Sequence, residues 1–246
     1  MSAAAPRRGP VRAVVFDLWK TLVPLPDEVK RQAFTETAEA LGLRPEELAE
    51  PWARTRVRRE TGPLDAYLDG LREELGGRWD AAQQAEAVRV RRTVHGRGFA
   101  RPADGAVETL SALNALGVPV GLVSNCSSDV RDMLDGSELG PLIDVSVLSA
   151  EAGLMKPDPE VFLLAARRLG VDAGACLYVG DGHDDELDGA SVAGMSAVLL
   201  DLGEDHPWAG PRIGALPEVL ALAGHGGRAP DAAWGGTPLS RSDRSS

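Results

Sequence analysis

Short apolar runs alternate with longer amphipathic stretches along most of this chain. The runs at about 12–18, 118–124, 143–148, 175–179 and 196–200 are rich in valine, leucine and isoleucine, as is typical of strands buried on both faces. Between them, apolar residues recur at helical spacing over about 10–15 residues. Strands that alternate with such helices predict an α/β fold with a doubly wound parallel sheet.

The segment 25–97 departs from this alternation. Glutamate, arginine and alanine recur there at helical spacing, without a strand pattern. Pro45 followed by two glutamates predicts a helix start, because proline suits the first turn and acids suit the positive end of the helix dipole. We therefore predict an all-helical domain at 25–97, inserted into an α/β core formed by 1–24 and 98–223. The glycine-, proline- and serine-rich tail at 224–246 is predicted to be disordered.

Composition narrows the functional classes. The 246 residues are 43% hydrophobic, which is enough for a sizeable core, and the net charge of −11 disfavours binding to nucleic acid or to an anionic membrane. Two cysteines do not form a disulfide framework, and the N-terminus lacks the apolar centre of a signal peptide. No apolar stretch approaches the roughly 18 residues of a membrane helix. These features predict a cytoplasmic protein, and they contain no signal for an oligomeric state.

Two of the apolar runs end in an aspartate. Val14-Val15-Phe16 leads into Asp17, and Tyr178-Val179-Gly180 leads into Asp181. The carboxyl ends of parallel strands meet at one edge of the sheet, where open α/β folds place their ligand sites. Asp17 is therefore positioned for nucleophilic attack, although an aspartate at a strand end also caps turns.

Two further segments place polar side chains at strand ends or helix starts. Ser124-Asn125 follows the second core strand, where a hydroxyl and helix-start N–H groups can bind an anion or simply cap the helix. Lys156 lies at a helix entrance next to Pro157, which fixes the backbone there. A positive charge at this point can neutralise nearby carboxylates and an incoming anion, so we favour a functional role for it.

The segment 181–186 contains four acids in six residues, with Asp181 and Asp185 four apart, at the start of a helix predicted over 183–194. Acids at a helix start complement its dipole, but several carboxylates near Asp17 would also raise each other's pKa. A hard divalent cation bound by carboxylate oxygens and water removes this repulsion, and Mg²⁺ is the obvious choice. The acidic run therefore predicts a magnesium site near Asp17.

These four motifs, in this order, resemble those of the haloacid dehalogenase superfamily over about 12–223. The resemblance implies an aspartate nucleophile, Asp17, and a helical cap domain at 25–97. It implies that Thr21 and Ser124, with Asn125 beside them, contact the transferred group. Lys156 would support both that group and Asp17, and the substrate would be a small anionic molecule.

The resemblance also implies a set of metal ligands. Asp17 and Asp181 would bind Mg²⁺ together with the backbone carbonyl of Trp19. Asp185 would be a further ligand or would orient a metal-bound water. Because a carbonyl requires no particular side chain, the residue type at 19 does not decide whether the metal binds.

Trp19 and Lys20 depart from the family pattern. Phosphatases of this family have a second aspartate at the position of Trp19, acting as general acid and base, and losing such a group costs about 10²–10⁴-fold in rate. The 2-haloacid dehalogenases instead have a tyrosine there, because a departing halide needs no proton. Lys20 occupies a position that is usually glycine in both groups.

Three functions are compatible with these residues. The first is Mg²⁺-dependent hydrolysis of a small phosphorylated metabolite, with His183 or His95 as the acid or with a leaving group that needs none. The second is metal-independent 2-haloacid dehalogenation, with the substrate carboxylate held by the arginine cluster Arg54, Arg56, Arg58 and Arg59. The third is a catalytically weak protein that binds a phosphorylated ligand or another protein. The acidic run favours the first, and the intact motifs count against the third.

Overall fold

Six parallel strands form one sheet in the computed structural model, which describes residues 10–203 and 205–224. The strands are β1 (Ala13–Phe16), β2 (Val120–Ser124), β3 (Val145–Leu148), β4 (Cys176–Gly180), β5 (Ser196–Leu200) and β6 (Arg212–Ile213). Their spatial order is β3-β2-β1-β4-β5-β6, and each neighbouring pair is parallel. The predicted α/β fold with a doubly wound parallel sheet is confirmed.

A continuous helical segment separates β1 from β2, in the region predicted to be all-helical. Its helices are α1 (Asp27–Ala40), α2 (Pro45–Arg54), α3 (Arg56–Glu60), α4 (Leu64–Leu75) and α5 (Ala81–Phe99). It has a core of its own, in which Leu48, Leu68 and Leu71 are fully buried. We refer to residues 25–97 as the helical segment; its status as a separate domain stays a prediction.

Helices cover both faces of the sheet. They are α6 (Ala106–Ala115), α7 (Val130–Asp135), α8 (Ser149–Ala152), α9 (Pro159–Leu169), α10 (Glu186–Val192) and α11 (Val219–Gly224). Alternate residues of β1 pack into two different clusters, Val14 and Phe16 with α6, α7 and α11, and Ala13 and Val15 with α9 and α10. Burial on both faces explains why the strands are almost continuously apolar.

The structure differs from the expected elements at two places. The edge strand β6 has only two residues, too few to produce a recognisable pattern. The helix predicted from 183 is α10, and it begins at Glu186 instead. Asp184 and Asp185 have left-handed backbones with φ of 58° and 49°, which a regular α-helix does not allow. The predicted disorder at 224–246 falls almost entirely outside the described residues.

The described helices are too short or too polar to cross a bilayer. Cys126 and Cys176 are both buried free thiols, in agreement with the expectation that they form no disulfide.

Candidate active site

Asp17 and Asp181 lie side by side at the carboxyl edge of the sheet. β1 and β4 are neighbours although they are distant in sequence, and the register pairs Phe16 with Val179. The backbone N–H of Asp17 donates to the carbonyl of Val179 at 2.9 Å, which extends this pairing by one residue. The order in which strands are added to the sheet reverses between β1 and β4, and open α/β sheets bind ligands at such a point.

A buried lysine joins two carboxylates at this edge. The Nζ of Lys156 donates hydrogen bonds to Oδ1 of Asp17 and to Oε2 of Glu186. Glu186 also accepts from the hydroxyl of Tyr178 at 2.7 Å and from the N–H of Gly182 at 2.9 Å. These three partners, Lys156, Tyr178 and Gly182, use both oxygens of Glu186, and the Lys156 ammonium is held between Glu186 and Asp17.

A small residue at position 180 makes this arrangement possible. A Cβ atom at Gly180 would lie 2.0 Å from Oε1 of Glu186. Glycine at the end of β4 therefore leaves the space that the Glu186 carboxylate occupies.

The negative charge of this group exceeds what one lysine can balance. Burial, opposed by Lys156 but reinforced by Glu186 and Asp181, raises the pKa of Asp17 to about 8. For Lys156, burial disfavours the charged form, but the attraction of Asp17 and Glu186 outweighs it and raises the pKa. An additional cation next to Asp17 would stabilise the carboxylate form that a nucleophile needs.

Three carboxylates lie close enough to share a metal ion. One oxygen from each of Asp17, Asp181 and Glu186 lies within 4.8 Å of the others. Asp185, which the sequence suggested as a ligand or water-orienting residue, is not in this group: it is exposed and does not line the cavity beside Asp17. The reason is the pair of left-handed residues before α10, which turns Asp185 outward and brings Glu186 inward.

The other predicted site residues lie around this group. Asn125 accepts a hydrogen bond from the N–H of Lys156 at 2.8 Å and donates one to its carbonyl at 3.0 Å, which fixes the backbone at the lysine. Thr21, in the loop after β1, and Ser124, the last residue of β2, are fully buried, and neither lines the cavity beside Asp17. Among the described residues neither hydroxyl group has a hydrogen-bond partner, and their contact with a transferred group stays a prediction.

A cavity of about 340 Å³ opens between the strand ends and the helical segment. Its wall includes Asp17, Lys156 and Asp181, together with side chains from α1, α2, α3 and α5. A volume of this size accommodates a small metabolite.

Arg56 of α3 and Asp184, which both line this cavity, form a bidentate ion pair. The two nitrogen–oxygen distances are 2.7 and 2.6 Å, and Asn125 donates to the same carboxylate at 2.9 Å. Burial alone would raise the pKa of Asp184, but these hydrogen bonds outweigh it and lower the pKa to about 2. The pair therefore ties the helical segment to the core next to Lys156.

We expect this pair to contribute to folding stability. In a double-mutant cycle of Arg56→Met and Asp184→Ala, urea unfolding should give a coupling of about 1–2 kcal/mol, because the pair is bidentate and partly buried. The folded pKa of about 2 is below the unfolded value of about 3.9, so the contribution is complete above about pH 4 and is lost as the pH falls towards 2. The exposed single-contact pair Arg92–Asp132, which also joins the two parts, is the control and should give less than about 0.5 kcal/mol. Equal couplings would contradict this account.

The side chain of Trp19 packs against the helical segment. Its ring lies 5.6 Å from that of His95 and 5.5 Å from that of Phe99, between centroids. Burial lowers the pKa of His95 to about 4, with Arg91 adding to the shift, so this histidine is neutral near pH 7. A neutral imidazole with such a low pKa is poorly suited to the general-acid role considered for His95.

His183 lies on the cavity wall in a different setting. Its Nδ1 contacts Oδ2 of Asp181 at 2.7 Å, and its Nε2 lies 3.3 Å from Nζ of Lys20. The side chain is about half exposed, so it can reach a bound molecule.

Three residues of the site have no role predicted from the sequence: Glu186, Tyr178 and Arg91. Glu186 lies in the acidic run, and its fully buried carboxylate departs from the usual exposure of glutamates at helix starts. Tyr178 is a buried residue of β4, and its position in an apolar run predicts a place in the hydrophobic core. Arg91 is also buried and lines the cavity, but no sequence signal separates it from the exposed arginines of α5.

Comparison with known proteins identifies the family of this chain. Residues 11–194 match the haloacid dehalogenase-like hydrolase family. The chain belongs to this family. The match covers both aspartate-bearing strands and the helical segment between β1 and β2, so the chain is a hydrolase of the type that the four motifs indicated.

Some of the similar proteins are named as phosphatases and others as dehalogenases. A glyceraldehyde 3-phosphate phosphatase from Methanopyrus kandleri is 32% identical over 203 residues, which cover 79% of this chain and 85% of that protein. A HAD phosphatase from Thermococcus onnurineus has the same fold, with a TM-score of 0.63 and 21% identity over 87% of this chain and 98% of that one. A 2-haloacid dehalogenase from Pseudomonas syringae has a TM-score of 0.62 and 25% identity, with the same coverage of both chains.

Proposed function

We propose that this protein is a Mg²⁺-dependent phosphohydrolase that acts on a small phosphorylated metabolite through an aspartate nucleophile. The convergence of Asp17, Asp181 and Glu186 around one buried lysine carries the proposal, because three carboxylates against one ammonium leave room for a divalent cation. The relative from Methanopyrus kandleri is named for a phosphorylated three-carbon compound, which supports this substrate class.

The oxygen donors of this site suit magnesium. Asp17 and Asp181 offer carboxylate oxygens, and those of Asp181 also contact His183. Glu186 accepts three hydrogen bonds, one of them from Lys156, and we assign it the role of positioning that lysine. The hydrogen bonds that close the loop after β1 use the carbonyls of Leu18 and Val23, which leaves the Trp19 carbonyl as the predicted third ligand. Bound here, Mg²⁺ would supply positive charge to the phosphoryl oxygens and to the Asp17 carboxylate.

In the proposed reaction the Asp17 carboxylate attacks phosphorus. The phosphorus–oxygen bond to the leaving group breaks, and an aspartyl phosphate forms on Asp17. Water then attacks the phosphorus of this intermediate, which releases inorganic phosphate and regenerates the carboxylate. Lys156 holds Oδ1 of Asp17 in place, and the family pattern assigns the contacts with the transferred group to Thr21 and Ser124.

The leaving group receives no proton from residue 19, because tryptophan has no acid to offer. Leaving groups that need little protonation, such as an acyl phosphate or an aryl phosphate, therefore suit this site best. His183, which lines the cavity, is the better placed of the two histidines for assisting poorer leaving groups. We propose that the helical segment acts as a cap that excludes water during the reaction.

Trp19 also supports a second candidate function, 2-haloacid dehalogenation. An aromatic side chain at this position matches the dehalogenase pattern, and displacement of a halide requires neither an acid nor a metal. In that reaction Asp17 would displace the halide from carbon and water would hydrolyse the resulting ester.

A substrate panel with and without metal separates the two candidates. We expect the purified protein to hydrolyse p-nitrophenyl phosphate, with activity falling by at least about 100-fold in EDTA and returning with added Mg²⁺, because the acids around Asp17 need a cation. Phosphate release measures the reaction. Chloride release from 2-chloropropionate, unaffected by EDTA, would instead support the dehalogenase and overturn the proposal.

A further inference from the structure

The arginines on the helical side of the cavity already have acidic partners within the protein. The pairs are Arg56 with Asp184, Arg59 with Glu60, and Arg91 with Asp129. The charges of these arginines therefore do not require a ligand. An uncharged part of a bound molecule would be recognised by other residues of the same wall.

His95 is a residue of this wall with an unused polar atom. It lies in α5, is only 8% exposed and lines the cavity. Its Nδ1 is buried and has no hydrogen-bond partner among the described residues. Buried polar side-chain atoms usually have a partner, and leaving one without a partner costs stability. Phenylalanine would fill a similar space without that cost, so packing alone does not explain an imidazole here.

His95 differs in this respect from the neighbouring Arg91. Of the described residues with a buried, unpartnered side-chain atom, these two line the cavity. Arg91 has its ion pair and also donates to the hydroxyl of Ser127 at 3.1 Å. Nδ1 of His95 has no such contact within the part of the chain that the structure describes. The imidazole is therefore the polar group of this wall that the protein itself explains least.

The indole ring of Trp19 connects His95 to the nucleophile. Trp19 follows Asp17 by two residues, its ring lies 5.6 Å from that of His95, and all three residues line the cavity. The indole offers apolar surface to the carbon atoms of a bound molecule, and the imidazole next to it offers a nitrogen. Because Nδ1 is shielded from solvent, Nε2 is the nitrogen that can meet a ligand.

We propose that His95 binds a hydroxyl group of the substrate through a hydrogen bond to Nε2, while the adjoining carbon atoms pack on Trp19. The inference rests on the proposed function, because it assumes that the phosphoryl group of the same molecule lies at Asp17. A hydroxyl suits both tautomers of a neutral imidazole, since it can donate as well as accept. The substrate class is therefore a phosphate compound whose organic part is a short carbon chain with a free hydroxyl.

A matched series of inhibitors tests this contact. Straight-chain alkylphosphonates of two to four carbons, which have no phosphate ester bond to hydrolyse, are prepared without a hydroxyl or with one at each carbon beyond the first. Their inhibition constants are measured against p-nitrophenyl phosphate with Mg²⁺ present. We expect one hydroxyl position to lower the constant by about 3- to 10-fold relative to the unsubstituted chain, as one net hydrogen bond between uncharged groups does. Equal constants at every position and chain length would overturn the inference.

Substitutions at position 95 assign the effect to the imidazole. His95→Phe should abolish the hydroxyl preference, because the ring still packs on Trp19 but has no nitrogen, and the unsubstituted chain should bind within about twofold of the wild type. His95→Gln should keep part of the preference, because its amide can still form a hydrogen bond. If His95→Phe does not fold, His95→Leu provides the same comparison. A preference that survives without the imidazole would assign the hydroxyl to another residue and overturn the inference.

Phe99→Leu is the control for packing. The Phe99 ring lies 5.5 Å from the same indole but does not line the cavity, so this substitution disturbs Trp19 without touching His95's nitrogen atoms. The hydroxyl preference should not change. An equal loss in Phe99→Leu and His95→Phe would attribute the preference to the position of Trp19 and overturn the hydrogen bond.

The two proposals fail in different ways. A protein that does not hydrolyse p-nitrophenyl phosphate with Mg²⁺ contradicts the proposed function. A protein that hydrolyses it but binds the hydroxylated and unsubstituted chains equally contradicts only the role of His95.

Discussion

Asp17→Asn should lower the turnover of p-nitrophenyl phosphate by about 10⁴-fold or more, because an amide cannot form the covalent intermediate. The carboxamide keeps nearly the same shape and can still accept a hydrogen bond from Lys156. Loss of activity would therefore reflect the missing nucleophile rather than a displaced side chain. The rate of phosphate release, measured with saturating Mg²⁺, tests this expectation.

The same substitution should leave folding stability nearly unchanged. In the wild type, one ammonium group, that of Lys156, contacts two carboxylates, those of Asp17 and Glu186, so one negative charge is in excess. Removing the charge of Asp17 leaves Lys156 and Glu186 as a matched pair. We expect the free energy of unfolding to change by no more than about 1 kcal/mol, since no uncompensated charge is created. Urea denaturation of the metal-free protein measures it.

Asp188→Asn is the matched control for Asp17→Asn. Asp188 belongs to α10, is exposed and lies outside the cavity wall. Its substitution removes one negative charge close to the site without touching Asp17, so activity should stay within about twofold. Full activity in Asp17→Asn would refute covalent catalysis by this residue and with it both enzymatic candidates.

The juxtaposition of Asp17 and Asp181 was predictable because it depends on topology alone. Two apolar strands that each end in an aspartate place those acids at one edge of a parallel sheet, whatever the intervening chain does. The edge strand β6 was not predictable, because its two residues, Arg212 and Ile213, contain no periodicity.

Which of Asp185 and Glu186 lies in the site could be learned only from the structure. A regular helix starting near 183 would have placed acids four residues apart on one face. The left-handed conformations of Asp184 and Asp185 break that helix, so the spacing argument failed at the point where the backbone is irregular. Asp184 faces Arg56 instead, and Glu186 occupies the buried position beside Lys156.

Which arginines are buried could not be predicted from the sequence, for a different reason. Arg58 and Arg59 are consecutive, yet Arg58 is half exposed and pairs with Glu74, whereas Arg59 is buried on Trp52. Helical periodicity gives the angle between two side chains but not which of them another element will cover. The packing of α3 against α4 and the contact of Arg59 with Trp52 of α2 decide this, and both are tertiary contacts of the helical segment.

Lys156→Met should remove both activity and stability, in contrast to Asp17→Asn. Methionine fills a similar volume but leaves Asp17 and Glu186 buried with no ammonium between them. Breaking a buried ion pair in this way typically costs about 3–5 kcal/mol of folding free energy. Turnover should fall by about 10²–10³-fold in the protein that still folds, because the positive charge beside the transferred group is lost. Urea denaturation and phosphate release measure the two effects.

A second substitution separates the two losses. Glu186→Gln added to Lys156→Met removes one of the stranded acids, while its amide can still bond to Tyr178 and Gly182. We expect the double variant to regain about half of the lost folding free energy, because one fewer uncompensated charge is buried. Its turnover should stay as low as that of the single variant, since the ammonium beside Asp17 is still missing. If the double variant were no more stable than Lys156→Met, packing rather than charge balance would explain the burial of this lysine.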